Sequence, residues 1–177
     1  MRKLIVLLLL AGCAPAAAVA AVTRAASAPA PAAPAGAPRV LAADTPMTTV
    51  AGNTFLAPAG WTVGVRGPAT LLEAPEHDSW IALVDLEAKD ADAAVAAAWA
   101  AYKPEAKWPL EVVNERPDRF GWTRQRFYEY QTSPNERRTV FASTRYAGGR
   151  WTVAIYDFSQ PVGEKRGSQV SLVFDRL

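Results

Sequence analysis

A chain of 177 residues, half of them apolar and one in ten aromatic, is long enough to bury a real core in one domain. Its 19 Lys+Arg against 17 Asp+Glu leave a formal charge of +2, and Arg2 and Lys3 alone account for the excess, so the remainder is balanced and argues against nucleic acid as a partner. One cysteine and one histidine leave no disulfide framework and remove the usual zinc and copper sites, while a carboxylate calcium site stays open.

In chain order, Arg2 and Lys3 precede an unbroken apolar run over residues 4–10, too short to cross a bilayer and suited to a signal sequence. Leu10-Ala11-Gly12-Cys13 closes the run with two small residues and the sole cysteine, and it resembles the lipobox of bacterial lipoproteins. That resemblance implies a signal peptide over 1–12, cleavage before Cys13, and an acylated Cys13 as membrane attachment. More than one acyl chain at ~0.8 kcal/mol per buried methylene makes such anchoring stable. Ala14 rather than Asp after the cysteine implies the outer membrane, facing the periplasm, rather than the inner membrane. The alternative is an ordinary secretory signal cut after Ala18 or Ala21, with Cys13 discarded.

Residues 14–47 hold 16 Ala and 6 Pro with no aromatic, so 13–47 reads as a tether and 48–177 as the folded domain. Prolines 29, 31, 34 and 38 break an alanine helix and favour polyproline II at ~3.1 Å per residue. Within the domain, strands are expected over 54–57, 61–66, 69–74 and 79–87, punctuated by Pro58-Ala59-Gly60 and Gly67-Pro68. The strand over 79–87 is apolar on both faces and therefore central. Asp90 or Asp92 can cap a helix that runs to Tyr102, with Val95, Trp99 and Tyr102 on one stripe. A short strand over 110–114, a hairpin of 121–132 with 137–146 and a strand over 151–158 complete an antiparallel meander. The tail from Val162 has helical spacing, weakened by Gly167 by ~1 kcal/mol, although Val170, Leu172 and Phe174 would also suit a strand.

Consecutive strands, one Ala-rich helix, more strands and a closing helix make an α+β domain with an antiparallel sheet of about seven or eight strands. Phe55-Leu56-Ala57-Pro58-Ala59-Gly60-Trp61 resembles the opening of Mog1p/PsbP-like domains, and the element order over 53–177 agrees with that fold. A second resemblance is broader: residues 72–79, 96–103 and 128–138 look like the N-terminal region of exported proteobacterial serine hydrolases of the beta-lactamase and penicillin-binding-protein-like family. In that family the region precedes the catalytic domain. No serine here has Lys three positions on, and neither Tyr-x-Asn nor Lys-Thr-Gly occurs, so no catalytic residue is carried over.

The adjacent His77-Asp78-Ser79 reads as a loop, because consecutive side chains point apart where a triad must converge. Trp99 and Trp108 read as core and core edge. The candidate ligand face is Trp122, Arg124, Arg126 and Tyr128, which share one side of a regular strand with Tyr130; arginines beside aromatic rings can hold an anionic or sugar ligand, or merely cover them. Arg124 and Arg126 would lie about 7 Å apart, which calls for an anion between them or an acidic neighbour from across the hairpin or the terminal helix. The expectation is a lipid-anchored, non-catalytic envelope domain without cofactor or metal, its partners the membrane through Cys13 and an envelope protein or glycan. The competing readings are a small envelope enzyme with an unrecognised carboxylate site, and a truncated fragment of a serine hydrolase.

Overall fold

The computed structural model describes residues 37–177. The signal peptide, Cys13 and most of the Ala/Pro segment lie outside the described residues. The elements are β1 (Arg39–Val40), β2 (Thr45–Thr48), β3 (Thr54–Ala57), β4 (Thr62–Arg66), β5 (Ala69–Glu73), β6 (Trp80–Leu86), α1 (Ala91–Tyr102), β7 (Leu110–Glu115), β8 (Thr123–Tyr130), β9 (Arg138–Ala147), β10 (Arg150–Ser159) and α2 (Gln160–Asp175). Eight strands form one antiparallel sheet in the order β1-β4-β5-β6-β10-β9-β8-β7, and β2 with β3 makes a separate two-stranded sheet. The domain is α+β, with the long sheet and the closing helix as expected.

The boundary expected at residue 47 moves upstream. Arg39 and Val40 pair with Val63 and Thr62, Thr45–Thr48 pairs with β3, and Leu41 and Met47 are buried. The proline-rich composition hid this because Pro46 sits in β2, which has one strand neighbour only and so tolerates a residue without an N–H. Pro38 lies so close to Gly64 of β4 that a Cβ there would come within 3.2 Å of its ring, which explains a glycine inside that strand.

The alternation along β6 divides the core into two layers. Ile81 and Leu83 face a layer with Trp61, Leu72, Tyr156, Phe158 and the buried stripe Val162, Val170 and Val173 of α2, covered also by β2 and β3. Ala82 and Val84 face the opposite layer, with Val153, Ile155 and α1. Asp90 caps α1 by accepting from the Ala93 N–H at 2.8 Å. The face of α1 on the sheet is Ala91, Ala94, Val95, Ala98 and Tyr102; Trp99 is only half-buried, because small alanines let the helix come close and leave the large ring at its flank.

Two glycines in α2 separate packing from propensity. A Cβ on Gly163 would fall 2.6 Å from the Tyr156 hydroxyl, and the Tyr156 ring is held by stacking on Phe141 (4.4 Å) and Phe158 (4.0 Å). Gly163→Ala is therefore expected to destabilise by about 1–3 kcal/mol despite its better helix propensity. Gly167 has nothing within 4 Å, and Gly167→Ala is expected to stabilise by about 0.5–1 kcal/mol. Urea midpoints that moved in the same direction for both would refute this account.

Candidate functional site

The loop after β5 is a dock for α2. The exposed His77 ring places Nδ1 3.2 Å from Glu73, and the buried Ser79 has other partners: its hydroxyl donates to Asp78 at 2.7 Å and accepts from the Ser159 N–H at 3.1 Å. No nucleophile and base meet there. Glu76 accepts from Lys165 at 2.8 Å and from the Arg166 guanidinium at 2.7 Å. The Arg166 hydrogen bond is the main reason that the carboxyl is held down to about 2, against an ordinary 4.5.

A carboxyl depressed in the folded state contributes stability above its ordinary value and loses it as pH falls through the folded value. Glu76→Gln is thus expected to cost about 1–2 kcal/mol at neutral pH, and the gap from the parent should close as the pH approaches about 2. Urea titrations of both proteins across the acid limb measure it. A gap independent of pH would show that the pairing contributes nothing.

The face expected on β8 is partly assembled and partly split. Arg126 donates to Asp92 of α1 and to Glu115 of β7, both at 3.3 Å, and the Tyr128 hydroxyl donates to the same Asp92 at 2.7 Å. The acidic neighbours thus come from the first helix and the edge strand, not from β9 or the terminal helix. Burial, then the bond to Asp92, pushes the Tyr128 phenol well above its ordinary value. Arg124 packs its guanidinium over the Tyr146 ring at 4.8 Å. Glu115, Arg124 and Arg126 border a hollow of about 290 Å³ with Lys89, Asp90, Asp118 and Trp151, where cations and carboxylates alternate.

Trp122 is on the other side. The pairing of β8 with β9 slips between Thr123 and Arg126, and Arg124 at the bulge has φ of 52°. The extra residue reverses the alternation upstream of it. Trp122 therefore sits on the α2 side, beside Phe120, Asp175 and Leu177.

Trp99 and Trp108 are half-buried in one aromatic group, with Trp99 donating to the Tyr130 hydroxyl at 2.8 Å and Lys103 lying over Trp108 at 5.1 Å. Next to it is a charge that the sequence reading passed over. Asp157, fully buried in β10, accepts from Arg138, from Lys103 at 3.2 Å and from the Tyr102 hydroxyl at 3.0 Å. Burial and that carboxylate drive the Tyr102 phenol far up, so it stays a donor. Asp85, also buried, accepts from Ala51, Asn53 and Thr152 and pins the β2–β3 turn to the sheet.

On the α2 side, β8, β9 and the last turn of α2 enclose a cavity of about 410 Å³. Its apolar wall is Phe127, Phe141 and Phe174, with ring centroids 4.9 Å and 6.1 Å apart in succession. Arg116, Arg119 and Arg145 stand around it, and none forms an ion pair among the described residues. Arg145 donates instead to main-chain oxygens, those of Leu177 at 2.7 Å and Phe174 at 3.4 Å. Burial, with the charge of Arg119, lowers its pKa, and Asp175 opposes that. A hint was present in Arg116-Pro117-Asp118-Arg119-Phe120, a cationic and aromatic connection; the rest comes from three other elements, β8, β9 and α2. Among the described residues no cluster of three His, Asp or Glu is placed to hold a metal ion.

The same architecture occurs in the solution structure of cyanobacterial PsbP (CyanoP) from Synechocystis sp. PCC 6803, which superposes with a TM-score of 0.54 over 77% of this chain and 92% of that one. The fold is PsbP-like. At 16% identity the likeness concerns the path of the chain, not its ligands. No family model and no curated protein matches the sequence. The Mog1p/PsbP-like expectation from the Pro-x-Gly-Trp turn thus agrees with the fold, in which Trp61 is wholly buried.

Proposed function

We propose that this chain is a lipid-anchored, non-catalytic domain of the bacterial envelope, held to the outer membrane by acylated Cys13 and acting as an accessory or interaction module. The observation that carries the reading is how its charges are used. The buried carboxylates Asp85 and Asp157, and Glu76 and Asp92 at the helices, are bound to structural donors, whereas Arg116, Arg119 and Arg145 converge on an aromatic wall with no Asp or Glu paired to them among the described residues. That constellation suits holding an anion; it supplies no nucleophile with a base beside it. Support for the anchor is the lipobox-like Leu10-Ala11-Gly12-Cys13. Support for a hydrolase as partner is the resemblance of residues 72–79, 96–103 and 128–138 to the region that precedes such catalytic domains.

Detergent partitioning and mass spectrometry of the N-terminal peptide test the anchor. The expected peptide begins at a diacylglyceryl-modified Cys13, fractionates with the outer membrane, and becomes soluble or signal-retaining in Cys13→Ala. An unmodified N-terminus beyond Ala14 would overturn the anchored reading. Hydrolysis of nitrocefin, simple esters or peptidoglycan, abolished by one Asp or Glu substitution, would overturn the non-catalytic one.

A further inference from the structure

We propose that the cavity between β8, β9 and the end of α2 is a binding site for a small amphiphilic anion, a carboxylate carried on an acyl or aryl body, with Arg116, Arg119 and Arg145 taking the head and Phe127, Phe141 and Phe174 the body. The site deepens the reading of a non-catalytic binding domain and rests on it.

Charge is the first argument. Arg126, Arg138 and Arg166 each meet a carboxylate, so the fold supplies acidic partners where a cation is structural. Of the four arginines that line this cavity, Arg126 has such partners, while Arg145 meets main-chain oxygens, Arg116 lies 5.2 Å over Phe127, and Arg119 lies 5.4 Å over Phe120, just outside the cavity. Arg116 and Arg119 are exposed, so water screens their repulsion, but the half-buried Arg145 is partly desolvated, and a guanidinium fork matches a carboxylate. Asp175 borders two adjoining hollows, of about 280 Å³ and 540 Å³, and shares the smaller with Arg119 and Arg145, so repulsion places the anionic head away from it, toward Arg116.

Shape and polarity are the second. A volume of about 410 Å³ lies within the range of small-molecule sites, and its wall combines the area of three phenylalanines with a mainly cationic polar side. Ser143, which borders the cavity between the Phe127 and Arg145 positions, has a buried hydroxyl with no hydrogen-bond partner among the described residues. The mixed-charge hollow under α1 offers neither feature, because Asp92 and Glu115 already satisfy Arg126 there.

The test uses the full chain carrying Cys13→Ala, which keeps acyl chains out of the assay. Calorimetric titration with decanoate, decanol and inorganic phosphate separates head from body. Decanoate is expected to bind, decanol at least about ten-fold more weakly, and added salt should weaken decanoate alone. Arg116→Gln and Arg119→Gln, both on exposed backbone, should each reduce decanoate affinity about ten-fold with an unchanged melting temperature, which guards against misfolding of an Arg145 variant. Equal binding of decanoate and decanol, no loss in either arginine variant, or no binding of decanoate would overturn the site. So would a chain that ignores decanoate yet is retained on phosphatidylglycerol vesicles, the mark of a membrane-headgroup surface. Decanoyl ester cleavage accompanied by arginine-dependent decanoate binding would keep the site and overturn the non-catalytic reading alone.

Discussion

Asp157→Ala is expected to remove about 3–5 kcal/mol from the stability of the domain, a fall of about 10 °C or more in Tm. The carboxylate is fully buried, with Arg138 on one oxygen and Lys103 and the Tyr102 hydroxyl on the other. It ties the end of α1 to β10 and β9, which are central strands. Alanine leaves the mostly buried Arg138 guanidinium and the Tyr102 hydroxyl without their acceptor, and the desolvation already incurred is then uncompensated. Asp157→Asn keeps the shape and one acceptor but turns an N–H₂ toward donors, so its loss should be smaller and still above about 1 kcal/mol. Urea unfolding followed by tryptophan fluorescence measures both. A parent-like midpoint in the alanine variant would mean that water satisfies Arg138 and that this pairing does not hold the helix.

Trp61→Ala should be comparably damaging, at about 3–5 kcal/mol. The indole is wholly buried, packs 6.0 Å from the Phe158 ring at 42°, and donates from Nε1 to Gln169 of α2 at 3.1 Å. Its backbone carbonyl accepts from the Leu41 N–H, so one residue joins the strand after the Pro-x-Gly-Trp turn, the segment preceding β2 and the closing helix. Removing the ring opens a cavity under α2 that rigid neighbours in the sheet cannot fill. Trp61→Phe retains much of the packing and loses the hydrogen bond, and about 1–2 kcal/mol is expected for it. If the alanine variant lost less than about 1 kcal/mol, α2 would have to settle into the void, and hydrogen exchange in α2 would report that collapse.

Much of the fold was legible because its signals act over a few residues. Two-residue alternation with two apolar faces marked β6 as central, Asp90 and Lys103-Pro104 bracketed α1, and glycine-proline punctuation separated β3, β4 and β5. Asp157 stood as the lone acid in an otherwise apolar run, a sign of a buried and partnered charge that was there to be read.

What the sequence by itself determined was where strands, turns and helices fall, and that the closing segment has helical spacing, since backbone preference and periodicity are local properties. Tertiary structure alone decided which faces meet. A bulge at Arg124 sends Trp122 to the α2 side and keeps Arg126 with Asp92, although regular alternation placed them together. Strand order brings Arg116 and Arg119 from the β7–β8 connection against Ser143 and Arg145 of β9, and α2 adds Phe174, making a cavity from segments tens of residues apart. β1 and β2 become strands only because β4 and β3 offer unpaired edges to a Pro-rich segment whose own preference is weak. The physical reason is the same in each case: hydrogen-bonded register is a property of two strands, and one strand's residues do not contain it.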